Sequence, residues 1–346
     1  MNAGNKAADK AKKKSSKKHQ TDPSGRRRKA ARKARKLLDK ETDSMPVVEL
    51  EGPKQERVVE AELVDPAPRG GIMEVLQQRY LLRLIVGRQL AQQYAASLLG
   101  LLWSYIQPGL RFVVYFFVFG VVLKGAHGDL HNFALRLFSG MVFVHYFTET
   151  WSGGTRSIWS NRALVLKMRV PREIFPVAAM MTAAYHTGPQ ILILVVACVL
   201  LGWSFSWTAL AAGLLGVLIL VTFSMTMALT FSALNVFYRD FQNIVSTVTQ
   251  FMHFLVPMMY AYSMISELGT NHRWAYELYF ANPLAESVLL MQRLFWAPTV
   301  DADEAAAQFP TDLFERGLIM LAICSVTLVL AQRLFARLEG KFPERL

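Results

Sequence analysis

The chain has 346 residues, 53% of them hydrophobic and only 18% charged, where soluble globular domains carry about 25% charged residues. Even that charge is concentrated at one end, since residues 1–70 hold 19 Lys/Arg and 11 Asp/Glu. The rest contains uncharged apolar runs near the length of about 20 residues that crosses a bilayer as helix, which excludes a single soluble enzyme domain.

Residues 1–40 carry 16 Lys/Arg against three acids, net +13, and residues 41–70 carry three against eight, net −5. Few apolar residues accompany these charges, so domain 1–70 reads as a disordered cytoplasmic tail, basic and then acidic. No apolar run follows the basic residues for some 70 positions, so the tail does not read as a secretory signal peptide. KKKSSKK and GRRRKAARKARK could bind anionic headgroups at about 1 kcal/mol per charge. A solvated tail with a purely topological role explains them as well. No nucleic-acid recognition motif accompanies the charge.

Domain 71–97 contains IMEVLQQRYLLRLIVGRQLAQQY at 72–94, apolar enough to lie on a membrane surface and too polar to cross one. Arg79 and Arg83 share its apolar face with Ile72, Leu76, Val86, Leu90 and Tyr94. They would snorkel to phosphates, or the helix would pack on protein. An interfacial helix entering the membrane near Gly100 is the expectation.

Six candidate spans fill domain 98–335, at 98–123, 133–154, 174–201, 207–237, 241–264 and 314–335. The third, fourth and fifth contain no Asp, Glu, Lys or Arg. The second is weaker, because Arg136 and Glu149 interrupt it, and charge asymmetry decides for it. With all six present, loop 155–173 (net +4) lies on the side of the basic tail and segment 265–312 (net −5) opposite. The C-terminal tail 336–346 then returns inside, and basic loops favour the cytoplasm. The fold class is an all-α polytopic membrane protein, with both termini cytoplasmic in a bacterial plasma membrane.

No GxxxxGK[ST] phosphate loop occurs, so this chain cannot hydrolyse ATP by that route. It is expected to hold no cofactor and no metal. Cys198 and Cys324 lie inside apolar runs, where they supply neither a disulfide framework nor a thiolate zinc site.

Arg111 stands mid-way along the first span, roughly 18 Å from either surface at 1.5 Å per residue. A charge there costs about 2.5–3.5 kcal/mol and marks a functional site by default. Gln107-Pro108-Gly109 loosens the helix just before it, because Pro108 cannot donate to the carbonyl of Ser104. The functional reading is a polar lining for an anionic or sugar-rich substrate; the alternative is an interhelical pair with Glu149. His145, Glu149, His186 and His253 sit in spans but on three helices without catalytic spacing, so no catalytic residue is expected. Asp301-Ala302-Asp303 resembles a metal-binding DxD but reads as an acidic loop. Tyr115, Phe116 and Phe119 in the first span, and Phe251, Phe254 and Tyr262 in the fifth, could stack on sugar rings. Helix packing uses the same residues.

Four segments taken together resemble a known family. They are LLGLLWSYIQPGLRFVVYFFVFG, LVLKMRVPREIFP, LNVFYRDFQNIV and NPLAESVLLMQ, in that order. They resemble the membrane subunit of ABC-type polysaccharide exporters, which move O-antigen, teichoic acid and related lipid-linked glycans. The basic tail and Arg111 look most like the galactan exporters of mycolic-acid-forming actinobacteria.

The resemblance implies a homodimeric permease on two ATP-binding subunits that hold the ATP and Mg, with a lipid-diphosphate-linked polysaccharide passing between the permeases. It implies an interfacial helix at 72–94 and a cytoplasmic coupling helix within 157–172, with Arg156, Arg162, Lys167, Arg169 and Arg172 facing the ATPase. It identifies Tyr238-Arg239-Asp240 with the family's YRD signature, whose bland alternative is an interfacial anchor with a local Arg–Asp pair. Asn282-Pro283 would mark re-entrant extracellular gate helices. Competing readings are a small-molecule ABC exporter permease and a membrane enzyme acting on polyprenyl-linked glycans. A secondary transporter would show inverted repeats and paired intramembrane acids, and neither is found.

Overall fold

The computed structural model describes Lys36 and residues 71–95, 97–123, 130–168 and 170–346. The tail 1–70, apart from Lys36, and the coupling candidate Arg169 lie outside the described residues. Among the described residues every regular element is helical. In chain order these are α1 (Gly71–Gln77), α2 (Arg79–Tyr94), α3 (Trp103–Tyr115), α4 (Phe133–Ser160), α5 (Arg162–Lys167), α6 (Ile174–Leu200) and α7 (Trp207–Phe237). There follow α8 (Asp240–Phe251), α9 (Tyr262–Asn271), α10 (Arg273–Phe280), α11 (Pro283–Phe295), α12 (Ala302–Ala307), α13 (Leu313–Glu339) and α14 (Phe342–Arg345).

Among the described residues four helices are long and apolar enough to cross a membrane: α3 with its continuation to Val122, α6, α7 and α13. The six-span expectation therefore meets four such helices, and the other two segments differ for physical reasons. Helix α4 has 28 residues, roughly 42 Å, but Arg136 and Glu149 lower its apolarity. It compensates by burial, for it packs against α6, α7 and α11. The fifth segment is not one helix. Helix α8 stops at Phe251, residues 252–261 form turns, and α9 begins at Tyr262. Pro257 lies in this break; it has no N–H to donate and biases its predecessor out of helical conformation.

The first span also departs from a uniform helix. A 3-10 turn at Gly100–Leu102 leads into α3, and Phe116–Val122 winds as a π-helix, with Leu123 N–H donating to Val118 O at 2.8 Å. Pro108 is accommodated without a break. The Ser104 carbonyl that it cannot serve receives Gln190 Nε2 of α6 at 3.5 Å.

Two ends of the bundle are defined by contacts. At one end Phe237 of α7 meets Phe342 of α14, and Arg172 lies over the same ring at 5.7 Å. Residues 336–346 are thus not a free tail; α13 runs on to Glu339 and the buried Phe342 folds back on Phe335. At the opposite end Asn132 Nδ2 donates to Thr299 O at 3.0 Å and His131 meets Glu304 at 2.7 Å. Helix α2 packs on α6, where Thr182 Oγ1 donates to Gln89 Oε1 at 3.0 Å, so this interfacial segment leans on protein.

Small residues set the closest approaches, as expected where lipid supplies no hydrophobic drive between helices. Gly213 of α7 lies under Leu294 of α11, and Gly154 of α4 faces Ala228 of α7. A Cβ on Gly154 would stand 2.5 Å from the Ala228 Cβ and 2.9 Å from its Cα, and backbone cannot step aside. Gly154→Val is expected to destabilise by about 1–3 kcal/mol, the usual range for overpacking. Thermal unfolding of the detergent-purified protein should show a lowered Tm. Gly188→Ala, which meets nothing within 4 Å, serves as the control with little change.

Candidate functional site

Polar side chains in apolar helices seek one another, because each unsatisfied group in hydrocarbon costs several kcal/mol. In this chain they converge where α3, α4, α6 and the α8 end meet. Helix periodicity places His145 and Glu149 four residues apart on one face of α4, with Nε2 and Oε2 3.5 Å apart. His186 of α6 bonds Glu149 Oε1 through Nδ1. Its other nitrogen, Nε2, lies 2.7 Å from the Tyr94 hydroxyl at the end of α2, which in turn lies 2.6 Å from Ser104 Oγ of α3.

The chain is complete with a neutral imidazole. His186 Nδ1–H donates to the carboxylate, Tyr94 donates to Nε2, and Ser104 donates to the Tyr94 oxygen. Burial raises the pKa of the Tyr94 phenol above its ordinary value, which keeps that donor protonated. Four helices are thereby tied through one acid.

The sequence leaves two readings open for Arg111, a substrate lining or a pair with Glu149, and its protein contact is not with Glu149. Its Nη1 donates to His253 Nε2 at 3.2 Å, which requires that nitrogen to carry no proton, while Glu149 is held by the two histidines. The pairing of Arg111 with Glu149 is therefore corrected. Geometry explains it: Glu149 is turned toward α6, whereas His253 sits in the turn after α8.

These groups line two adjoining cavities. One, of about 430 Å³, is bounded by Gln107, Arg111 and Tyr115 of α3, His145 and Glu149 of α4, and Thr249, Gln250 and His253. The other, of about 280 Å³, shares Gln107, His145 and Glu149 and continues to Tyr94 and His186. Together they form a polar groove that is open on the face of α3, a helix of which few residues are buried. The groove offers one guanidinium, hydroxyls and amides, the donor set that suits phosphate and sugar oxygens.

Of the expected substrate-path residues, the groove gathers Gln107, Arg111, Tyr115 and Glu149. Phe254 stands beside it, its ring 6.2 Å from Tyr115. Phe116 stacks on Phe112 at 6.0 Å, and Phe119 packs against the core. Phe251 points outward on α8. Tyr262 belongs elsewhere: its hydroxyl bonds Tyr276 at 2.9 Å in an aromatic cluster with Phe280. The sequence reading missed Tyr94, Thr249 and Gln250 as partners and set the histidines aside. The i,i+4 spacing of His145 and Glu149 was the available signal.

At the other end of α4, Arg156, Arg162 and Lys167 are exposed around α5. Arg172 is not. It is buried, donates to the Glu339 carbonyl and lies over Phe342; burial holds its pKa below the ordinary arginine value. It is a structural bolt rather than a docking side chain. Trp159 is flanked by two guanidiniums, Arg162 at 5.1 Å and Arg239 at 3.8 Å from its ring centre. Arg239 thus stacks on α4 and forms no pair with Asp240. Asn282 caps α11, accepting from Leu284 N–H at 3.1 Å, and Pro283 takes the first helical position, where no N–H is needed. No cluster of three metal-ligating side chains occurs among the described residues.

The sequence model of the ABC-2 type transporter family matches residues 80–295, more than half of the chain and the whole of this groove. The chain belongs to the ABC-2 type transporter family. Among curated proteins it is similar to the O-antigen export system permease protein RfbA of Myxococcus xanthus, with 29% identity over 228 residues covering 65% of this chain and 84% of that one. A protein of the same name from Klebsiella pneumoniae is 27% identical over 270 residues, covering 76% and 94%. This ABC-2 protein is a multi-pass membrane transport subunit, and its family implies an ATP-binding partner.

The groove makes a stability test possible without substrate. Glu149→Leu removes the acceptor held by buried His186 and half-buried His145, and a buried N–H left without a partner costs about 1–3 kcal/mol. Glu149→Gln keeps an acceptor for His186 Nδ1–H and should cost much less. Thermal unfolding of both variants in one detergent should show a large Tm loss for the leucine variant and a small one for the glutamine variant.

Proposed function

We propose that this ABC-2 protein is the permease subunit of an ATP-driven exporter. It carries a lipid-linked polysaccharide, a cell-wall galactan or O-antigen-like glycan, from the cytoplasm to the outer face of the bacterial plasma membrane. The observation that carries this reading is the half-open polar groove around Arg111 in a chain similar along most of its length to O-antigen export permeases. A guanidinium in the middle of an apolar helix is retained against its insertion cost, and a lipid diphosphate is the anion that lipid-linked glycans bring to that depth.

A second copy of the chain covers the groove. Gln107 and Arg111 on α3, and Gln242, Asn243, Ser246, Thr247 and Gln250 on α8, are exposed in one copy. Such a polar face is costly against lipid and is satisfied across a dimer or by water in a conduit. Aromatic Tyr115 and Phe254 at its edge supply faces on which sugar rings stack. Both termini lie in the cytoplasm, on the side of the basic loop. The partner subunit binds ATP and Mg, and α5 with the exposed Arg156, Arg162 and Lys167 docks on it.

Depletion of the protein is expected to strand lipid-linked glycan inside the cell; an unchanged intracellular pool after depletion would overturn the proposal. Arg111→Leu should stop export of that glycan, measured as surface polymer, while the variant still inserts and still co-purifies with the ATP-binding subunit. Full export by a stably inserted Arg111→Leu protein would retire the role of Arg111. Charge reversal of the loop, Arg162→Glu with Lys167→Glu, should lower recovery of the ATP-binding subunit on affinity purification several-fold. Undiminished recovery would count against docking through α5.

A further inference from the structure

A cavity of about 500 Å³ lies away from the groove, at the end of the bundle where α6 turns into α7. Its walls are the connection with Ser204 and Ser206, Thr208 at the start of α7, Arg293 in the last turn of α11, and Phe309. Arg293 is the sole ionisable side chain lining it among the described residues.

The state of that arginine is informative. Its guanidinium lies over two phenyl rings, 5.0 Å from the centre of Phe314 and 6.0 Å from that of Phe309. Stacking occupies the faces of the planar cation and leaves its N–H edge free. No acceptor for those N–H groups is found among the described residues. No acid is among the described residues that line the cavity. Asp312 and Glu277 hold Arg316 at 2.5 and 3.1 Å, Glu304 holds His131, Glu286 is buried in α11, and Asp301, Asp303 and Glu315 are exposed.

Hydroxyls complete the lining. Ser206 and Thr208 bond each other at 2.8 Å, so one hydroxyl hydrogen of the pair remains to be donated. Ser204 Oγ donates to Pro298 O at 3.2 Å and fixes the connection against the 297–299 turn. Beside the cavity stand Trp203, Phe205 and Trp207, an aromatic ladder with ring centres 6.1 and 5.0 Å apart. Phe205 is 58% and Trp207 76% exposed. Exposed Trp and Phe at the end of a spanning helix belong at headgroup level. Trp203 Nε1–H donates to Leu294 O at 2.9 Å, next to Arg293, and so sets the height of the arginine against the ladder.

The segment 265–312 around this cavity is net −5. A general field would repel anions, so attraction has to come from contact. That favours a compact anion able to take a paired set of N–H donors, which a phosphate does.

We propose that this cavity binds the phosphate of a membrane lipid, with Arg293 giving two N–H donors and the Ser206–Thr208 pair a hydroxyl. The phosphate comes either from a bulk anionic phospholipid or from a polyprenyl diphosphate carrier; the chemistry recognised is the same. The site is separate from Arg111 and stands whether or not the groove carries a glycan.

The test uses the full-length, delipidated permease carrying Arg111→Leu, so that binding in the groove does not contribute. Native mass spectrometry follows titration with phosphatidylglycerol, polyprenyl diphosphate and, lacking phosphate, diacylglycerol. Adding Arg293→Gln is expected to remove one bound lipid per chain and to weaken phosphate-lipid binding at least tenfold, with diacylglycerol unaffected. Loss confined to phosphatidylglycerol assigns a bulk-lipid site, and loss confined to polyprenyl diphosphate assigns a carrier site; either supports the proposal. Binding of all three lipids equal to that of the parent overturns it. If Arg293→Gln fails to insert, Arg293→Lys, which keeps the charge but not the fork, should lose affinity several-fold. Unchanged affinity of that lysine variant would overturn the proposal equally.

Discussion

Charged and hydrogen-bonding groups cannot be left bare in hydrocarbon, and the arrangement of this bundle follows from how α4 meets that demand. Helix α4 carries Arg136 near one end and Glu149 near its middle. Neither can face lipid cheaply, and 19 of the 28 residues of α4 are buried. Glu149 draws in His186 of α6 and, through Tyr94 and Ser104, the ends of α2 and α3. Arg136 lies over Trp296 at 4.8 Å and donates to Gln308 at 3.1 Å, which fastens the segment after α11. The charges that make α4 look poor as a membrane helix are the reason it sits at the centre. Helix α3, rich in apolar residues, is left at the periphery instead, with its few polar groups open to whatever covers it.

The same demand explains how an irregular stretch survives between α8 and α9. Backbone that leaves the helix at membrane depth needs protein partners for its carbonyls. Helix α11 provides them, with Gln292 Nε2 donating to Pro257 O at 3.1 Å and Asn282 Nδ2 reaching Leu255 O at 3.4 Å. Asn282 therefore acts twice, capping its own helix and supporting the break. The Asn-Pro pair stops α10 from running on and fixes where α11 begins. Helix α11 then lies against the small-residue face of α7, where Gly213 and Gly216 admit Leu294 and Leu290. Ser287 Oγ donates to the Gly216 carbonyl at 3.0 Å across this contact.

Much of this was legible in the residues, and what was not has a common cause. The runs 174–201 and 207–237 contain no charge, and they form α6 and α7 to within a residue. Arg111 was marked by its depth alone. The partner of Arg111 was not legible, because the periodicity of a helix gives the direction of a side chain and not the neighbour it meets. Glu149 was the acid of the adjoining span, yet α4 presents it to His186. The uncharged run 241–264 read as a span because hydropathy averages over residues, whereas a helix ends at one residue. Pro257 and the polar positions of α8 carried that information locally. Likewise Arg172 shares the charge of Arg162 and Lys167, but Phe342 of the C-terminal segment, remote in sequence, decides that it is buried.

The groove and the basic end are joined by a short mechanical path. Trp159, in the last turn of α4, is held between Arg162 of α5 and Arg239 at the start of α8. Each such stack is worth about 0.5–2 kcal/mol, more where it is desolvated. Helix α8 has 12 residues, roughly 18 Å of rigid rod, and its far end delivers Thr249, Gln250 and the turn with His253 to the groove. A displacement of α5 must either break the stack at Trp159 or carry the start of α8 with it. Because α8 is exposed along most of its length and ends in turns rather than in a continuing helix, it resists such a shift weakly. His253, in the turn that follows α8, is where this path of contacts reaches Arg111.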